Sequence, residues 1–240
     1  MFKTGAIAVL VVALAACTAA DLEALNKAVA EAAGSGGGAL SESDIAAGLK
    51  DALATGTQRA ITRIGHADGF WKNDALRIPV PGALKDASKV LRTLGQGAMV
   101  DDFELSLNRA AERAVPEAAD IFGTAIRGMT LADARSILNG PKDAATQYFR
   151  EKTSTLLTAK FKPVVANATD AVGVTRKYKD LTGRAGRLVP GLDTSSLDLD
   201  GYVTEHALSA LFTTLADEER RIREDPAART TELLKRVFGH

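Results

Sequence analysis

Cysteine is almost absent from this 240-residue sequence, because Cys17 is the one cysteine in the chain. A single cysteine cannot form an internal disulfide, so no disulfide framework holds the fold together. In an oxidising compartment it would remain an unpaired thiol unless a modification used it. The scarcity of cysteine therefore directs attention to the use of Cys17 itself.

Aromatic residues are also scarce, at 5%, and neither sign of charge is in excess, with 30 basic and 30 acidic residues. The low aromatic content, beside abundant alanine and leucine, favours helices packed through small side chains over a sheet. A chain without net charge creates no field that would concentrate phosphate backbones or anionic headgroups. The composition therefore argues against nucleic acid as a partner.

The common catalytic and cofactor motifs are missing as well. There is no Gly-x-Ser-x-Gly elbow for a serine nucleophile. The three histidines, His66, His206 and His240, lie far apart and form no His-Glu-x-x-His zinc motif. Gly95-x-Gly97 lacks the third glycine of a dinucleotide loop, and no Lys-Ser or Lys-Thr pair follows the glycines of residues 34–38. We therefore expect neither a metal nor a cofactor.

The chain begins with the pattern of a secretion signal. Met1-Phe2-Lys3 gives a positive start, and Gly5 to Ala16 is an apolar run shorter than the ~20 residues of a membrane span. The run ends in Leu14-Ala15-Ala16-Cys17, which resembles the bacterial lipobox, where the cysteine receives a diacylglyceryl group and becomes the first residue. An ordinary signal peptide with a chance cysteine is the alternative. Residues 1–16 are predicted as the signal and Cys17 as the lipidation site.

Lipidation would attach the exported chain to a membrane. Two or three fatty-acyl chains such as palmitate bury enough methylene groups, at about 0.8 kcal/mol each, for stable anchoring. Thr18 stands where an aspartate would resemble the inner-membrane retention signal, so we expect the outer membrane, facing the periplasm. Residues 17–39 are predicted as a lipidated N-terminus and tether, since Gly34-Ser35-Gly36-Gly37-Gly38 has the composition of flexible coil.

Apolar residues at helical spacing continue through residues 40–240. The pattern predicts an all-α fold, a compact single-domain bundle of roughly eight helices. The first helix is expected to end at about Gly65, and Leu156 is counted with the apolar pattern of a later one. Thr130-Leu131-Ala132-Asp133 predicts a capped entry into a short helix that ends at Asn139-Gly140.

The last third is predicted to contain a loop from Gly183 to Ser196, a long helix and a final helix with Leu234, Val237 and Phe238. Asp198-x-Asp200-Gly201 resembles part of a calcium loop, but the closing glutamate is missing, so helix capping explains it better. The charged run from Asp217 to Glu224 is interpreted as a solvated helix face or a partner-binding surface.

One long irregular stretch lies between Gly65 and Gly82. Pro79 and Pro81 forbid a regular helix there. The stretch is either a lid, from Gly69 to Pro81, or a packed connection. As a lid it would use the candidate residues Phe70, Trp71 and Arg77 at the mouth of an apolar pocket.

Several polar residues stand among positions that the periodicity assigns to the core. They are Asn108, Arg109, Glu112, Asp133, Arg135, Tyr148, Arg150, Tyr202 and Glu205. If they converge, they could form a binding or catalytic cleft in which burial and neighbouring charges shift pKa values. The alternative is that they join the helices to one another, because buried arginine stems need paired carboxylates.

Seven stretches of the sequence resemble a known bacterial family. They are Leu40-Ser41-Glu42 with Asp44 to Lys50, Asp68-Gly69-Phe70, Arg77 to Pro81, Ser106 to Glu112, Asp143 to Phe149, Tyr202-Val203-Thr204 and Asp225 to Thr231. On these residues the chain resembles the domain-of-unknown-function family 4197, over nearly all of Leu40 to Gly239. The resemblance implies a secreted or lipid-anchored protein of a Gram-negative envelope. It implies no catalytic residue.

The favoured hypothesis is a non-enzymatic, lipid-anchored module that binds either an envelope protein or an apolar small molecule between its helices. It depends on the anchor, the tether and the missing catalytic motifs. The alternative is an envelope-associated, hydrolase-like enzyme that uses Asn108, Glu112, Asp133, Tyr148 and Arg150. A third hypothesis is a structural spacer that assembles through its helical surfaces.

Overall fold

The apolar stripes of the sequence form eight α-helices and no strand in the part of the chain that the computed structural model describes, residues 41–171, 173–185, 197–225 and 227. The helices are α1 Glu42–Ile64, α2 Lys85–Thr93, α3 Gly97–Ala114, α4 Ala118–Arg127, α5 Leu131–Asn139, α6 Ala144–Ala171, α7 Val174–Ala185 and α8 Leu199–Glu224. The predicted all-α class is confirmed. The predicted signal, lipidation site, tether and final helix lie outside the described residues.

The core forms where α6 packs on α8, with α1, α3 and α4 around this pair. Although aromatic residues are few, their rings meet in the core: Phe122 lies 5.0 Å from Phe149 and 6.3 Å from Phe212, ring centre to ring centre. Fully buried alanines such as Ala111 and Ala207 let the helix backbones approach closely. The helices therefore pack through small side chains, as the composition of the sequence predicts.

Two helix boundaries show how local sequence sets the chain path. Thr130 caps α5, because its hydroxyl accepts from the Asp133 N–H while the Asp133 carboxylate accepts from the Thr130 N–H. The helix ends at Gly140, where an added Cβ would lie 2.7 Å from the Ser136 carbonyl oxygen. The capped entry and the end predicted from the sequence are both observed.

The region after α6 departs from the prediction. Gly173 adopts a left-handed φ of 73°, a conformation that glycine tolerates best, and α7 begins directly after it. The apolar spacing does not distinguish α7 as a helix, and the loop predicted to begin at Gly183 begins inside it. Residues 186–196, the remainder of that predicted loop, lie outside the described part of the chain.

The helices from Glu42 onward belong to one compact unit. Across the described ranges, no helix combines the length and the apolarity that crossing a membrane requires.

Candidate binding groove

An open groove of about 860 Å³ runs between α6 and the pair formed by α4 and the start of α5. Its floor includes the side chains of Ile121, Ala125 and Leu156. Leu156 is 61% exposed, although the sequence analysis counted it with the buried apolar pattern of its helix. Small-molecule sites occupy about 300–1,000 Å³, and exposed apolar surface of this kind marks interaction sites. The groove is therefore the candidate binding site.

Charged side chains of opposite sign stand on the two rims of this groove. Asp120 and Asp133 lie on the side of α4 and α5, whereas Lys152 and Lys160 lie on α6. The Lys160 amine is 3.4 Å from a carboxylate oxygen of Glu117, in an exposed ion pair. The groove thus offers an apolar floor between one acidic rim and one basic rim.

Two residues predicted from the sequence, Asp133 and Tyr148, line the groove. The hydrogen bond from the Thr130 backbone N–H holds the pKa of Asp133 below its usual value, and the Thr130 hydroxyl adds to this effect. The Tyr148 hydroxyl donates to the Ala125 carbonyl oxygen at 3.3 Å. Burial, followed by the nearby Asp133 charge, raises the pKa of Tyr148. In this position the Tyr148 hydroxyl joins α6 to α4 through its hydrogen bond to Ala125.

Asn108 has a different role, because it binds the backbone of the irregular stretch between α1 and α2. Its side-chain amide donates to the Ile78 carbonyl oxygen at 2.9 Å, and its oxygen accepts from the Ile78 N–H at 2.8 Å. The same amide donates to the Glu104 carbonyl oxygen at 2.8 Å. Asn108 and Ile78 are both fully buried. The side chain thus satisfies backbone groups that no helix or strand would satisfy.

Glu112 binds the beginning of the same stretch. One carboxylate oxygen accepts from the N–H groups of Phe70 and Trp71, at 3.0 and 3.2 Å. The other oxygen accepts from Arg109 at 2.7 Å, and Arg109 also donates to Asp68 at 2.6 Å. Hydrogen bonds from Lys72, then Arg109, hold the pKa of Asp68 below its usual value. Charged groups of α3 therefore fix the turn in which Asp68 adopts a φ of 73°.

The candidate lid residues fit a packed connection better than a lid. Phe70 is fully buried in the core, and the Arg77 guanidinium carbon lies 3.5 Å from the centre of the Trp71 ring. At the other end of the stretch, the Tyr202 hydroxyl donates to the Pro79 carbonyl oxygen at 3.1 Å. A segment whose aromatic anchor is in the core and whose backbone is bonded at both ends is a fixed part of the fold.

Arg150 and Glu205 lie elsewhere again, at a second groove between α6 and α8. Arg150 covers the Phe212 ring, with its guanidinium carbon 4.5 Å from the ring centre. The predicted polar set therefore divides among three places. Asn108, Arg109, Glu112 and Tyr202 hold the irregular stretch, Asp133 and Tyr148 line the first groove, and Arg150 and Glu205 line the second. Arg135 pairs with Glu42 on the surface.

This division bears on the enzyme alternative, which needed five polar residues in one cleft. Asn108 and Glu112 are occupied by backbone groups, and Asp133 serves as a helix cap. The five side chains therefore do not share one cleft, and of the five Asp133 and Tyr148 alone line the same groove. In the described residues there is also no cluster of three or more histidine, cysteine, aspartate or glutamate side chains that could hold a metal ion.

Sequence reasoning missed two buried glutamates on α8. Glu218 and Glu219 are only 2% and 8% exposed, although the charged run that contains them was interpreted as solvated. Glu219 accepts from the N–H groups of Ala145 and Thr146 and so caps the start of α6. The helical spacing could have revealed that Glu218 is buried, since position 218 lies on the same apolar stripe as Leu211, Leu215 and Ile222.

Comparison with known proteins supplies a family. Neither a curated protein nor a solved structure matches the chain. A family model described as a protein of unknown function, DUF4197, matches residues 39–239, a range that contains all eight helices of the described residues. The stretches that carried the resemblance, from the first helix to the residues after α8, fall within this range. The chain therefore belongs to the DUF4197 family.

Proposed function

We propose that this chain is a lipid-anchored protein of the bacterial envelope and that its helical domain binds an amphipathic helix of a partner protein. The observation that carries the binding role is the open groove of α4, α5 and α6, in which Leu156 is 61% exposed. Burial of apolar surface releases free energy, at roughly 25 cal/mol per Å². Contact with a partner would bury the exposed apolar floor between the two charged rims, and that burial would favour binding.

The dimensions of the groove favour a helix as its occupant. From Tyr148 to Lys160 the groove follows α6 for about three helical turns, or roughly 18 Å. An amphipathic helix in a groove is held by apolar side chains spaced one turn apart. Its polar flanks would meet Asp120 and Asp133 on one rim and Lys152 and Lys160 on the other. Opposite charges on the two rims would select one orientation of the bound helix.

A photo-crosslinking experiment in intact cells tests the groove. A photoreactive phenylalanine in place of Ile121 should form a covalent adduct with one envelope protein, and the adduct should map to the apolar face of a helix. Leu156→Glu should abolish the adduct, because a carboxylate would have to be desolvated against the apolar floor. Leu94→Glu is the matched control, since Leu94 is 53% exposed but lies outside the groove, and this variant should keep the adduct.

Three results would contradict the proposal that the groove binds a helix of a partner protein. The first is an adduct pattern that Leu156→Glu leaves unchanged. The second is an adduct within the chain itself, which would assign the groove to another segment of this protein. The third is a lipid-sized mass that co-purifies and is lost with Leu156→Glu, which would make the occupant an amphiphile instead of a helix.

The proposed anchor has its own test. Cells fed labelled palmitate should incorporate the label into the wild-type protein, and Cys17→Ser should abolish incorporation, because the serine hydroxyl does not accept the diacylglyceryl group. The variant should also leave the membrane fraction, since acyl chains supply the membrane affinity. Membrane retention of unlabelled Cys17→Ser protein would show that an uncleaved signal or a protein contact holds the chain there.

A further inference from the structure

The end of α5 carries the one Asn-Gly pair of the sequence, Asn139-Gly140. An asparagine side chain loses its amide when the backbone nitrogen of the next residue attacks it. Glycine shields that nitrogen least, because it has no Cβ. Asparagine is for this reason among the chemically labile residues of proteins. The sequence points to Asn139 as a reactive position, and the structure shows whether the two groups are accessible to each other.

The backbone nitrogen of Gly140 is not held by the helix. Its N–H makes no hydrogen bond in the described part of the chain, and the backbone there is extended, with φ −82° and ψ −177°. The corresponding N–H groups at other helix ends are bonded. Gly128 donates to the Thr124 carbonyl oxygen at 3.0 Å, and Asp225 donates to that of Arg221 at 2.8 Å. The attacking atom of the reaction is therefore available at Gly140.

The Asn139 side chain is equally unengaged. It is exposed, and among the described residues it has no hydrogen-bond partner. The reaction requires the backbone of Asn139 to rotate until the Gly140 nitrogen lies beside the side-chain carbon Cγ. Asn139 is the last residue of α5, where a helix opens at little cost. Neither a hydrogen bond nor the helix interior therefore resists this rotation.

The other described asparagines lack this combination. The Asn73 side chain accepts a hydrogen bond from a backbone N–H two residues later at 3.2 Å, and Asn108 is fully buried. Asn167 is exposed, but Ala168 follows it inside α6, where backbone N–H groups take part in helical hydrogen bonds. Asn139 thus stands apart by its neighbour, by its exposure and by its place at a helix end.

We propose that Asn139 undergoes spontaneous deamidation in the folded protein. The Gly140 nitrogen gives its proton to solvent and attacks Cγ of Asn139, forming a new C–N bond. The bond from Cγ to the side-chain nitrogen breaks, and that nitrogen takes up a proton and leaves as ammonia. One water molecule then opens the resulting cyclic imide at either of its carbonyl carbons. The product is an aspartyl or an isoaspartyl residue, and water is the co-reactant.

The glycine that makes the pair reactive is required by the fold. A Cβ added at Gly140 would lie 2.7 Å from the Ser136 carbonyl oxygen and 2.7 Å from the Ala144 Cβ. Any other residue would therefore force the connection between α5 and α6 to shift. The same close approach that ends α5 keeps an unshielded backbone nitrogen directly after Asn139.

Deamidation would place a new carboxylate at the C-terminal end of α5, and this group is ionised at neutral pH. Negative charge is unfavourable there, because it meets the negative end of the helix dipole. Asn139 also lines a cleft of about 240 Å³ between α1 and α5, together with Glu42 and Arg135, which pair with each other. The new carboxylate would compete with Glu42 for Arg135. Modification would thus weaken a contact that joins the start of α1 to α5.

Peptide mapping of the full-length chain in detergent tests the proposal. The chain is kept at physiological temperature and neutral pH for several weeks, and trypsin then releases residues 136–142, in which Asn139 is the one asparagine. We expect aspartyl and isoaspartyl forms to accumulate at a rate within about threefold of that in urea, because helix ends open easily. Asn167 is the internal control and should convert at least about tenfold more slowly, since the interior of α6 must open first.

Two variants complete the test. Asn139→Gln should fold normally and stay unmodified, because its longer side chain would have to close a larger and slower-forming ring. Asn139→Asp should elute from an anion-exchange column with the aged wild-type form, since both carry one additional negative charge. The proposal would be overturned by a wild-type chain that converts in urea but not when folded, by a product without the isoaspartyl form, or by equal rates at Asn139 and Asn167.

Discussion

Replacement of Asn108 by alanine is expected to lower the free energy of unfolding by about 3 kcal/mol. The change leaves both the N–H and the carbonyl of Ile78 without their side-chain partner inside the core. Each orphaned buried group costs about 1–3 kcal/mol, because neither can recover a bond to water without opening the structure. Urea denaturation followed by circular dichroism, with the midpoint and slope fitted together, measures the loss.

Asn139→Ala is the control for this prediction. Asn139 is exposed at the end of α5, so its removal should change stability by less than about 0.5 kcal/mol. Asn108→Asp refines the test, because it keeps an acceptor for the Ile78 N–H but loses the donor to the Ile78 carbonyl. A loss for Asn108→Ala no larger than that of the control would mean that the stretch re-forms its bonds with other groups.

Glu219→Ala is expected to have an effect of similar size, about 3 kcal/mol or more. The Glu219 carboxylate accepts from the Ala145 N–H at 3.0 Å and from the Thr146 N–H at 2.9 Å, and it pairs with Arg223 at 2.9 Å. Its removal leaves the first turn of α6 without this cap and takes away the Glu219 carboxylate that pairs with Arg223. Helix α6 is part of the central pair, so the loss should appear in global unfolding.

A second variant at Glu219 and a surface control separate the effect of the lost charge from the effect of removing a glutamate side chain. Glu219→Gln keeps one acceptor oxygen and the side-chain volume but removes the charge, so it should cost less than the alanine variant. Glu151→Ala is the surface control, because Glu151 is 79% exposed on α6 and should be nearly neutral. A Glu219→Ala protein as stable as Glu151→Ala would show that solvent replaces the carboxylate without cost at this position.

Much of the fold could be predicted because helical periodicity and caps are local. The pair Thr130 and Asp133 specifies the start of α5 within four residues, and the structure has it there. The break before α7 was harder to predict, because apolar spacing continues across it while one backbone torsion at Gly173 changes the chain direction. Periodicity reports which face is apolar, and it does not report where a helix axis turns.

The candidate site could be predicted only in part. The sequence identified Asn108 and Glu112 as polar groups at core positions, and both are buried. It could not identify their partners, because these are backbone groups of residues 70, 71 and 78, which carry no side-chain signature. It also assigned Leu156 to the core pattern, because the spacing of apolar residues does not reveal which helix faces lack a neighbour.

The contact between Tyr202 and Pro79 sets an order of events during synthesis. It joins residues 123 positions apart, and the bonds from α3 to the same stretch span only 30 to 42 positions. A chain made from its N-terminus can therefore form the bonds from α3 well before α8 exists. The end of the stretch near Pro79 must wait until more than a hundred further residues have emerged. Until then the carbonyl of Pro79 has no bond from Tyr202, so this end of the stretch is completed only when α8 packs on the rest of the domain.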